Sequence, residues 1–318
     1  MPLTMKKIFL STFMFFLILV TFGCSEKDKS VILFESLLQP TNEPKIFMPG
    51  VVSKRNTIHF GSSFSNNGKY LVYTNSEGDG PSKVMIQTFE KNQFSTPKPI
   101  VNDTLNSYGD ASISSNGKVI TLTSNRPQGI VTDTIEKNGI WQFFSDNESW
   151  ANPKFIDLKM DYEGGFGYPT MTEDQTLYFA YIPDDGTRNM DIFSSQNRNG
   201  VYEKPVKLPP NINSSKFEGD PYIDPKERFL IFAGFDRDIN YGKSDLYISF
   251  KLDDGWSNPI NLGKKVNSHG YDGSPYVTSD DQYLIFTSSR HPENKDEEEL
   301  FNVFYVSFDL EMYMTLKD

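Results

Sequence analysis

The chain repeats one pattern of polar and apolar positions at intervals of about fifty residues. Each copy is a short polar turn followed by an apolar and aromatic strand, as in SNNGKYLVY at residues 65–73. The other copies are SSNGKVITL at 114–122, TEDQTLYF at 172–179, DPKERFLIF at 224–232 and TSDDQYLIF at 278–286. The apolar residues just after the turn are 49, 57, 53 and 54 residues apart: Leu71, Ile120, Leu177, Leu230 and Leu284. A fixed period of this length is typical of a β-propeller.

The first four repeats carry three further strand signals in a constant order, and the fifth carries the first two of them. A short apolar run precedes the turn, and a second run of alternating residues follows the first strand. The fourth signal is an aromatic residue three positions before a proline, seen as Phe94 with Pro97, Trp150 with Pro153, Tyr202 with Pro205, and Trp256 with Pro259. Alternation with period two and proline at the borders are features of strands. The repeat therefore predicts a four-stranded blade.

The two ends of the repeat region complement each other. The fifth copy ends after its third strand, at residues 302–308, whereas residues 44–47 look like a fourth strand with no blade of its own. Pairing these two segments would complete the last blade and close the ring. We therefore expect an all-β fold with five blades. The alternative is six blades, if residues 31–43 and 312–316 supply more strands.

The N-terminus has the pattern of an export signal. Lys6 and Lys7 precede a thirteen-residue segment, 8–20, that is apolar except for Ser11 and Thr12, and the only cysteine follows as Cys24. Thirteen residues at ~1.5 Å rise cannot cross a hydrocarbon core of ~30 Å, so we interpret the segment as a signal peptide and not a membrane span. A small residue before a lone cysteine resembles the bacterial lipoprotein signal, although Thr21 stands where leucine is usual. An ordinary cleavage site beside a chance cysteine is the alternative.

This interpretation divides the chain into three parts. Residues 1–23 are the predicted signal peptide, residues 24–43 are an acylated cysteine and a tether, and residues 44–318 are one propeller domain; translation starts at Met1 or Met5. The protein is then anchored by lipid to the bacterial cell envelope, and the outer membrane is the expected site. The sequence does not indicate on which face of that membrane the propeller lies.

Composition narrows the possible partners. The chain has a formal net charge of −11, and removal of residues 1–23 leaves 29 basic against 42 acidic residues. Nucleic acid and anionic lipid surfaces are therefore poor partners. With Cys24 acylated no thiol remains for a disulfide. We expect a monomer without a cofactor, whose partner is an envelope protein or a glycan.

Several segments resemble the TolB-like propeller family, whose repeat contains a Pro-Asp-Gly-type turn and is distantly related to WD repeats. The likeness covers residues 44–308 and is most specific in FMPGVVS at 47–53, SNRP at 124–127, DLYISF at 245–250, and NLG with VNS at 261–263 and 266–268. The resemblance implies the propeller fold. It does not imply an activity, because most proteins with this repeat have no established biochemical function.

The start of each predicted inner strand carries acidic or polar residues that should meet at the mouth of the central channel. These candidate ligand-binding residues are His59, Asp110, Glu163, Glu218, Asp220 and Asp272. A ring of carboxylates would attract cations and could bind sugar hydroxyls or a basic peptide. The alternative is that each acid accepts hydrogen bonds in its own loop and serves only the fold.

These features favour a non-catalytic binding or scaffolding protein. The rival hypothesis is a glycosidase-like enzyme that uses Glu218, Asp272 and a third acid, either Glu163 or Asp110. Such chemistry needs two carboxyl groups at a suitable separation, which sequence does not show. No set of nucleophile, base and orienting residue is recognisable. A calcium loop at residues 236–242 has its glycine one place too late and lacks the twelfth-position acid, so no metal site is predicted.

Overall fold

The computed structural model describes residues 34, 37–54, 57–127, 138–146, 149–161, 163–186, 189–290 and 301–317. These residues form a five-bladed β-propeller of small antiparallel sheets, which confirms the predicted all-β fold and decides for five blades rather than six. The proposed signal peptide and Cys24 lie outside the described residues.

Each blade has an inner strand, two middle strands and a short outer strand. Blade 1 contains β2 (Ile58–Phe64), β3 (Tyr70–Ser76), β4 (Lys83–Glu90) and two outer pieces, β5 (Gln93–Phe94) and β6 (Lys98–Pro99). Blade 2 contains β7 (Tyr108–Ile113), β8 (Val119–Ser124), β9 (Gly139–Asp146) and β10 (Ser149–Phe155).

Blades 3 and 4 add small outer elements to the same plan. Blade 3 contains β11 (Gly164–Met171), β12 (Leu177–Pro183), β13 (Asp191–Ser195) and β16 (Val206–Lys207), with the hairpin β14 (Asn197–Arg198) and β15 (Val201–Tyr202). Blade 4 contains β17 (Phe217–Ile223), β18 (Phe229–Phe235), β19 (Asp245–Leu252), β20 (Gly255–Trp256) and β21 (Ile260–Asn261).

Blade 5 joins the two ends of the propeller. It contains β22 (Asp272–Val277), β23 (Tyr283–Ser288), β24 (Asn302–Ser307) and β1 (Lys45–Ile46). Strand β1 pairs antiparallel with β24, with Lys45 opposite Tyr305 and Ile46 opposite Phe304. The predicted closing strand is thus confirmed. This pairing covers the outer edge of β24, which would otherwise be open to other chains.

The polar turn of the repeat connects the inner strand of each blade to the next strand. In blade 1, Oδ1 of Asn67 accepts from the N–H of Lys69 at 3.0 Å, and Gly68 has a φ of +66°. The hydroxyl of Ser65 accepts from the N–H of Tyr70 at 3.1 Å. Side-chain acceptors of this kind satisfy backbone donors that the strands leave unpaired, which explains why short polar residues recur there.

The apolar residues of the strands form the core between neighbouring blades, and two residues before Pro44 join it. Phe34 is completely buried and Leu38 is almost so, and both belong to the cluster around blades 4, 5 and 1. The ring of Phe34 packs edge-on against Phe64 at a centroid distance of 5.2 Å. The carbonyl of Leu38 accepts from the hydroxyl of Tyr283 at 3.2 Å. The segment predicted as a tether therefore contains residues that pack on the propeller.

The described C-terminal residues form a short helix, α1 (Leu310–Met314), where the sequence left an additional strand possible. Asp309 caps it by accepting from the N–H of Met312. Tyr313 anchors it, since this side chain is buried and donates to the carbonyl of Leu262 at 3.0 Å. In the described part of the chain, no helix has the length and apolar character needed to span a membrane.

Candidate functional site

Each inner strand is interrupted at its middle by a bulge, and the five bulges meet around the central channel. In blade 4, for example, the register of β17 with β18 shifts between Gly219 and Tyr222. The first residue of every bulge has a left-handed backbone, with φ between 45° and 59°. We call these five residues the bulge ring: Gly61, Asp110, Tyr168, Asp220 and Ser274. A left-handed residue other than glycine costs roughly 1–2 kcal/mol, so four of the five positions carry strain.

A cavity of about 330 Å³ extends from the bulge ring to the turns that follow the inner strands, and all five ring residues line it. At its turn end, Arg228 pairs with Asp224 at 2.6 Å and with Asp281 at 2.8 Å. Glu173 and Lys226 also line this end. Among the described residues, no group of three or more His, Cys, Asp or Glu side chains could hold a metal ion.

Asp110 connects the bulges of blades 2 and 3. Its Oδ2 accepts from the hydroxyl of Thr123 at 2.9 Å, and its carboxylate also accepts from the backbone N–H of Tyr168. Burial raises the pKa of Asp110 to about 6, although both hydrogen bonds oppose the rise. The carboxyl group is therefore partly protonated in mildly acidic solution.

Asp220 makes the corresponding connection between blades 4 and 5. Its Oδ2 accepts from the N–H of Ser274 at 2.9 Å and from the Ser274 hydroxyl at 3.3 Å. Burial, with a smaller contribution from the charge of Asp110, raises the pKa of Asp220 to about 7. The charge of Asp220, followed by burial and the charge of Asp110, raises the pKa of Tyr168 well above its usual value. The phenol of Tyr168 therefore stays protonated.

Neither ring acid has a cationic partner, and Asp220 retains an unused acceptor. Within the part of the chain that the structure describes, Oδ1 of Asp220 has no hydrogen-bond partner, and neither ring carboxylate forms an ion pair. Both residues line the cavity. The cavity therefore presents two carboxyl groups without a cationic partner and a protonated phenol to a ligand.

Glu218 and Asp272 lie elsewhere, inside the blades. Glu218 is completely buried and pairs with Arg237 at 3.0 Å. Asp272 is also completely buried and pairs with Arg290 at 2.7 Å. Each acid additionally accepts from the N–H and hydroxyl of the serine four residues earlier, and neither lines the cavity. Burial raises the pKa of Glu218. These two acids connect strands within their own blades.

The two remaining sequence candidates are also away from the cavity. His59 is completely buried, and burial together with the charge of Lys54 lowers its pKa to about 4. Neither ring nitrogen of His59 has a hydrogen-bond partner among the described residues. Glu163 is exposed and directly precedes β11. Of the six candidates, the structure brings only Asp110 and Asp220 together at the cavity.

Sequence reasoning missed the contributions of Gly61, Tyr168 and Ser274 to this site. A signal was present, because proline directly follows the ring residue in three blades, as Pro169, Pro221 and Pro275. Proline in the interior of a strand indicates a bulge, since it lacks the N–H that the ladder needs. The position of these prolines within their repeats would have identified the residues of the bulge ring.

Comparison with known proteins supports the fold only. No family model and no curated protein matches the chain. Among solved structures, TolB from Agrobacterium tumefaciens is similar with a TM-score of 0.50 and 15% identity, over 80% of this chain and 91% of that one. A glycoside hydrolase is similar with a TM-score of 0.55 and 9% identity, over 88% and 95%. TolB from Acinetobacter baumannii gives a TM-score of 0.49 at 13% identity over 79% of this chain, which spans 54% of that protein.

Proposed function

We propose that the protein is a non-catalytic binding propeller of the bacterial cell envelope that holds a protein or glycan partner at its channel. The observation that carries the proposal is the cavity of about 330 Å³, whose bulge-ring end is lined by Asp110 and Asp220, two acids with no ion-pair partner among the described residues. This volume is at the lower end of the range for ligand pockets. The cavity therefore has room for one side chain or one sugar ring of the partner.

The strain in the bulge ring also supports a binding role. Backbone strain is retained where the surrounding structure enforces it, and such residues cluster at ligand sites. Asp110 and Asp220 are held in the left-handed region by hydrogen bonds to the next blade. Their carboxylates are thus positioned before a ligand arrives, which reduces the entropy cost of binding.

The proposal includes attachment to the envelope through Cys24. The lysines, the apolar segment at residues 8–20 and the cysteine support export and acylation. Multiple acylation of one residue would supply the two lipid signals that stable anchoring needs. The propeller would then hold its partner close to a membrane, and we propose the outer membrane.

Cross-linking in intact envelopes tests this function. The expected result is that partners captured by the wild-type protein are lost from the double variant Asp110→Asn and Asp220→Asn. Asp236→Asn is a matched control, because Asp236 is exposed and has a similar left-handed backbone. Capture of the same partners by the double variant would refute binding at the cavity.

A second candidate function is glycoside hydrolysis at the same cavity. One observation favours it: two acidic groups with pKa values of about 6 and about 7 share the channel, and a protonated and an ionised carboxyl are what such chemistry requires. Release of nitrophenol from a panel of aryl glycosides by the wild type, abolished in Asp110→Asn and in Asp220→Asn, would establish the enzyme. No release by the wild type would leave binding as the function.

A further inference from the structure

The bulge ring has a gap in blade 1. Its other four positions carry side chains, whereas Gly61 carries none. A Cβ atom placed on Gly61 would have only the Cα of Asp110 within 4 Å, at 4.0 Å. We call this space beside Gly61 the notch. Its nearest neighbour is the backbone Cα of Asp110, and Gly61 itself lines the cavity.

The residue after Gly61 offers an unused polar group at the notch. Ser62 lines the cavity and is only 4% exposed, yet its Oγ has no hydrogen-bond partner within the described part of the chain. The equivalent positions of the other blades have no polar side chain; they are Ala111, Pro169, Pro221 and Pro275. A buried hydroxyl without a partner is costly, so a ligand that bonds to it gains that energy.

The charge at the cavity is unbalanced. Asp224, Glu218 and Asp272 each pair with an arginine. Asp110 and Asp220 have no cationic partner among the described residues, although each raises the pKa of the Tyr168 phenol and is close enough to act on it. A cation between the two carboxyl groups would favour the ionised form of both. The face of the Tyr168 ring would attract the cation as well. A neutral ligand would not favour ionisation of the two acids.

The cavity wall beyond the ring is partly apolar. Pro221 and Pro275 directly follow ring residues, and the rings of Tyr222 and Tyr276 lie beside them, with centroids 5.5 Å apart. The hydroxyls of both tyrosines are already bonded to backbone carbonyls of the neighbouring blade. This surface suits the hydrocarbon stem of a ligand whose charge lies at its end.

We propose that the group received by the cavity is an aliphatic ammonium group, which lies in the notch beside Gly61 and contacts Asp110, Asp220 and Ser62. This inference rests on the proposed binding function and specifies its ligand chemistry. The ammonium group donates to the carboxylates of both acids and to Oγ of Ser62, while its alkyl stem packs on the prolines. A lysine side chain of a partner and a free alkylamine share this chemistry.

Binding is coupled to loss of protons. The pKa of Asp110 is about 6 and that of Asp220 is about 7, so an ammonium ion that needs both carboxylates ionised displaces protons below neutral pH. The other charged or titratable side chains along the cavity are Tyr168, Glu173, Tyr222, Asp224, Lys226, Arg228, Tyr276 and Asp281. Arg228 is neutralised by Asp224 and Asp281, and burial raises the pKa values of Tyr222 and Tyr276. Affinity should therefore fall about tenfold or more from pH 8 to pH 5.5.

Calorimetric titration of the mature protein provides the test, with n-butylamine as the probe and n-butanol as its neutral control. Butylamine should bind and butanol should not. Gly61→Asn fills the notch with a residue that tolerates the left-handed backbone, and should reduce binding at least about tenfold. Gly50→Asn is the control, since Gly50 has a φ of +77°, no atom within 4 Å of its Cβ position and no contact with the cavity. Equal binding of the two probes, or binding unchanged in Gly61→Asn, would overturn the inference.

A second comparison identifies the source of the amine. An acetylated Gly-Lys-Gly amide that binds at least about tenfold more tightly than butylamine indicates a peptide lysine, whereas equal affinity indicates a free amine. The result is separable from the proposed function. If the Asp110 and Asp220 variants lose their envelope partner but the wild type binds no amine, the binding function stands and the ammonium inference fails. If amine binds and the partners are unchanged, the amine site stands without that function.

Discussion

The guanidinium of Arg290 donates to Oδ1 of Asp272 at 2.7 Å, and the carboxylate is completely buried. Arg290 lies two residues after the second strand of blade 5, while Asp272 begins its inner strand. Arg237 and Glu218 repeat the arrangement in blade 4 at 3.0 Å. In both blades the arginine also lies over aromatic rings of the middle strands. The ion pair thus ties the start of the inner strand to the end of its neighbour.

Replacing Arg290 by alanine should lower the free energy of unfolding by about 3 kcal/mol, because it leaves Asp272 buried without its partner. Urea denaturation measures the change. Arg198→Ala is the control, since Arg198 pairs with Glu203 at the surface and such pairs contribute less than about 1 kcal/mol. Similar losses in the two variants would show that the buried pair is not important for stability.

The closing strand offers a test of how the ring is held together. Phe47 is completely buried and its N–H donates to the carbonyl of Val303 at 2.8 Å. Phe47→Ala should destabilise the propeller by roughly 3–5 kcal/mol through the cavity it leaves. The neighbouring Ile46 is 44% exposed, so Ile46→Ala should cost clearly less. A Phe47 variant as stable as the Ile46 variant would contradict closure by this strand.

The raised pKa of Asp220 predicts a dependence of stability on pH. A carboxyl with a folded pKa of about 7 and an unfolded pKa of ~3.9 binds its proton more tightly when folded, so the protein loses stability as pH rises from about 4 to about 7, and the loss is complete above that range. Asparagine cannot ionise and still offers an acceptor to Ser274. Asp220→Asn should therefore raise the Tm by roughly 2–4 °C at pH 8 and by less at pH 5.

Differential scanning calorimetry at the two pH values checks this prediction. Asp236→Asn is the control, because Asp236 has a φ of 52° against 48° for Asp220 and is exposed. It should give no difference between the two pH values. A gain in Asp220→Asn that is the same at pH 8 and pH 5 would mean that the carboxyl does not titrate in this range.

The proposed anchor can be tested independently of the propeller. Cells fed labelled palmitate should incorporate label into the wild-type protein and lose it in Cys24→Ala, because Cys24 carries the only thiol in the chain. Ser25→Ala should keep the label. Label retained in Cys24→Ala, or absent from the wild type, would exclude acylation at this residue.

The fold was readable from the chain because its determinants are local and repeated. A polar turn and an alternating strand recur five times and a proline-bounded edge four times, so each blade is specified almost entirely within about fifty residues. The last repeat has only three strand signals, and residues 44–47 are one strand signal outside any repeat. Counting four strands per blade therefore matched the two. The burial of Phe34 against Phe64 could not be inferred, because a single apolar residue outside the repeat has no pattern to place it.

The site depended on tertiary structure. Glu218 and Asp220 are two residues apart, and a regular strand would direct both side chains to the same face. The bulge at Asp220 breaks this alternation, so Glu218 turns into the blade toward Arg237 while Asp220 faces the cavity. The residue types and their spacing in the repeat predicted that acids surround a central channel. The left-handed bulge residues decided which of these acids line the cavity, because a bulge changes the face to which a strand's side chains point.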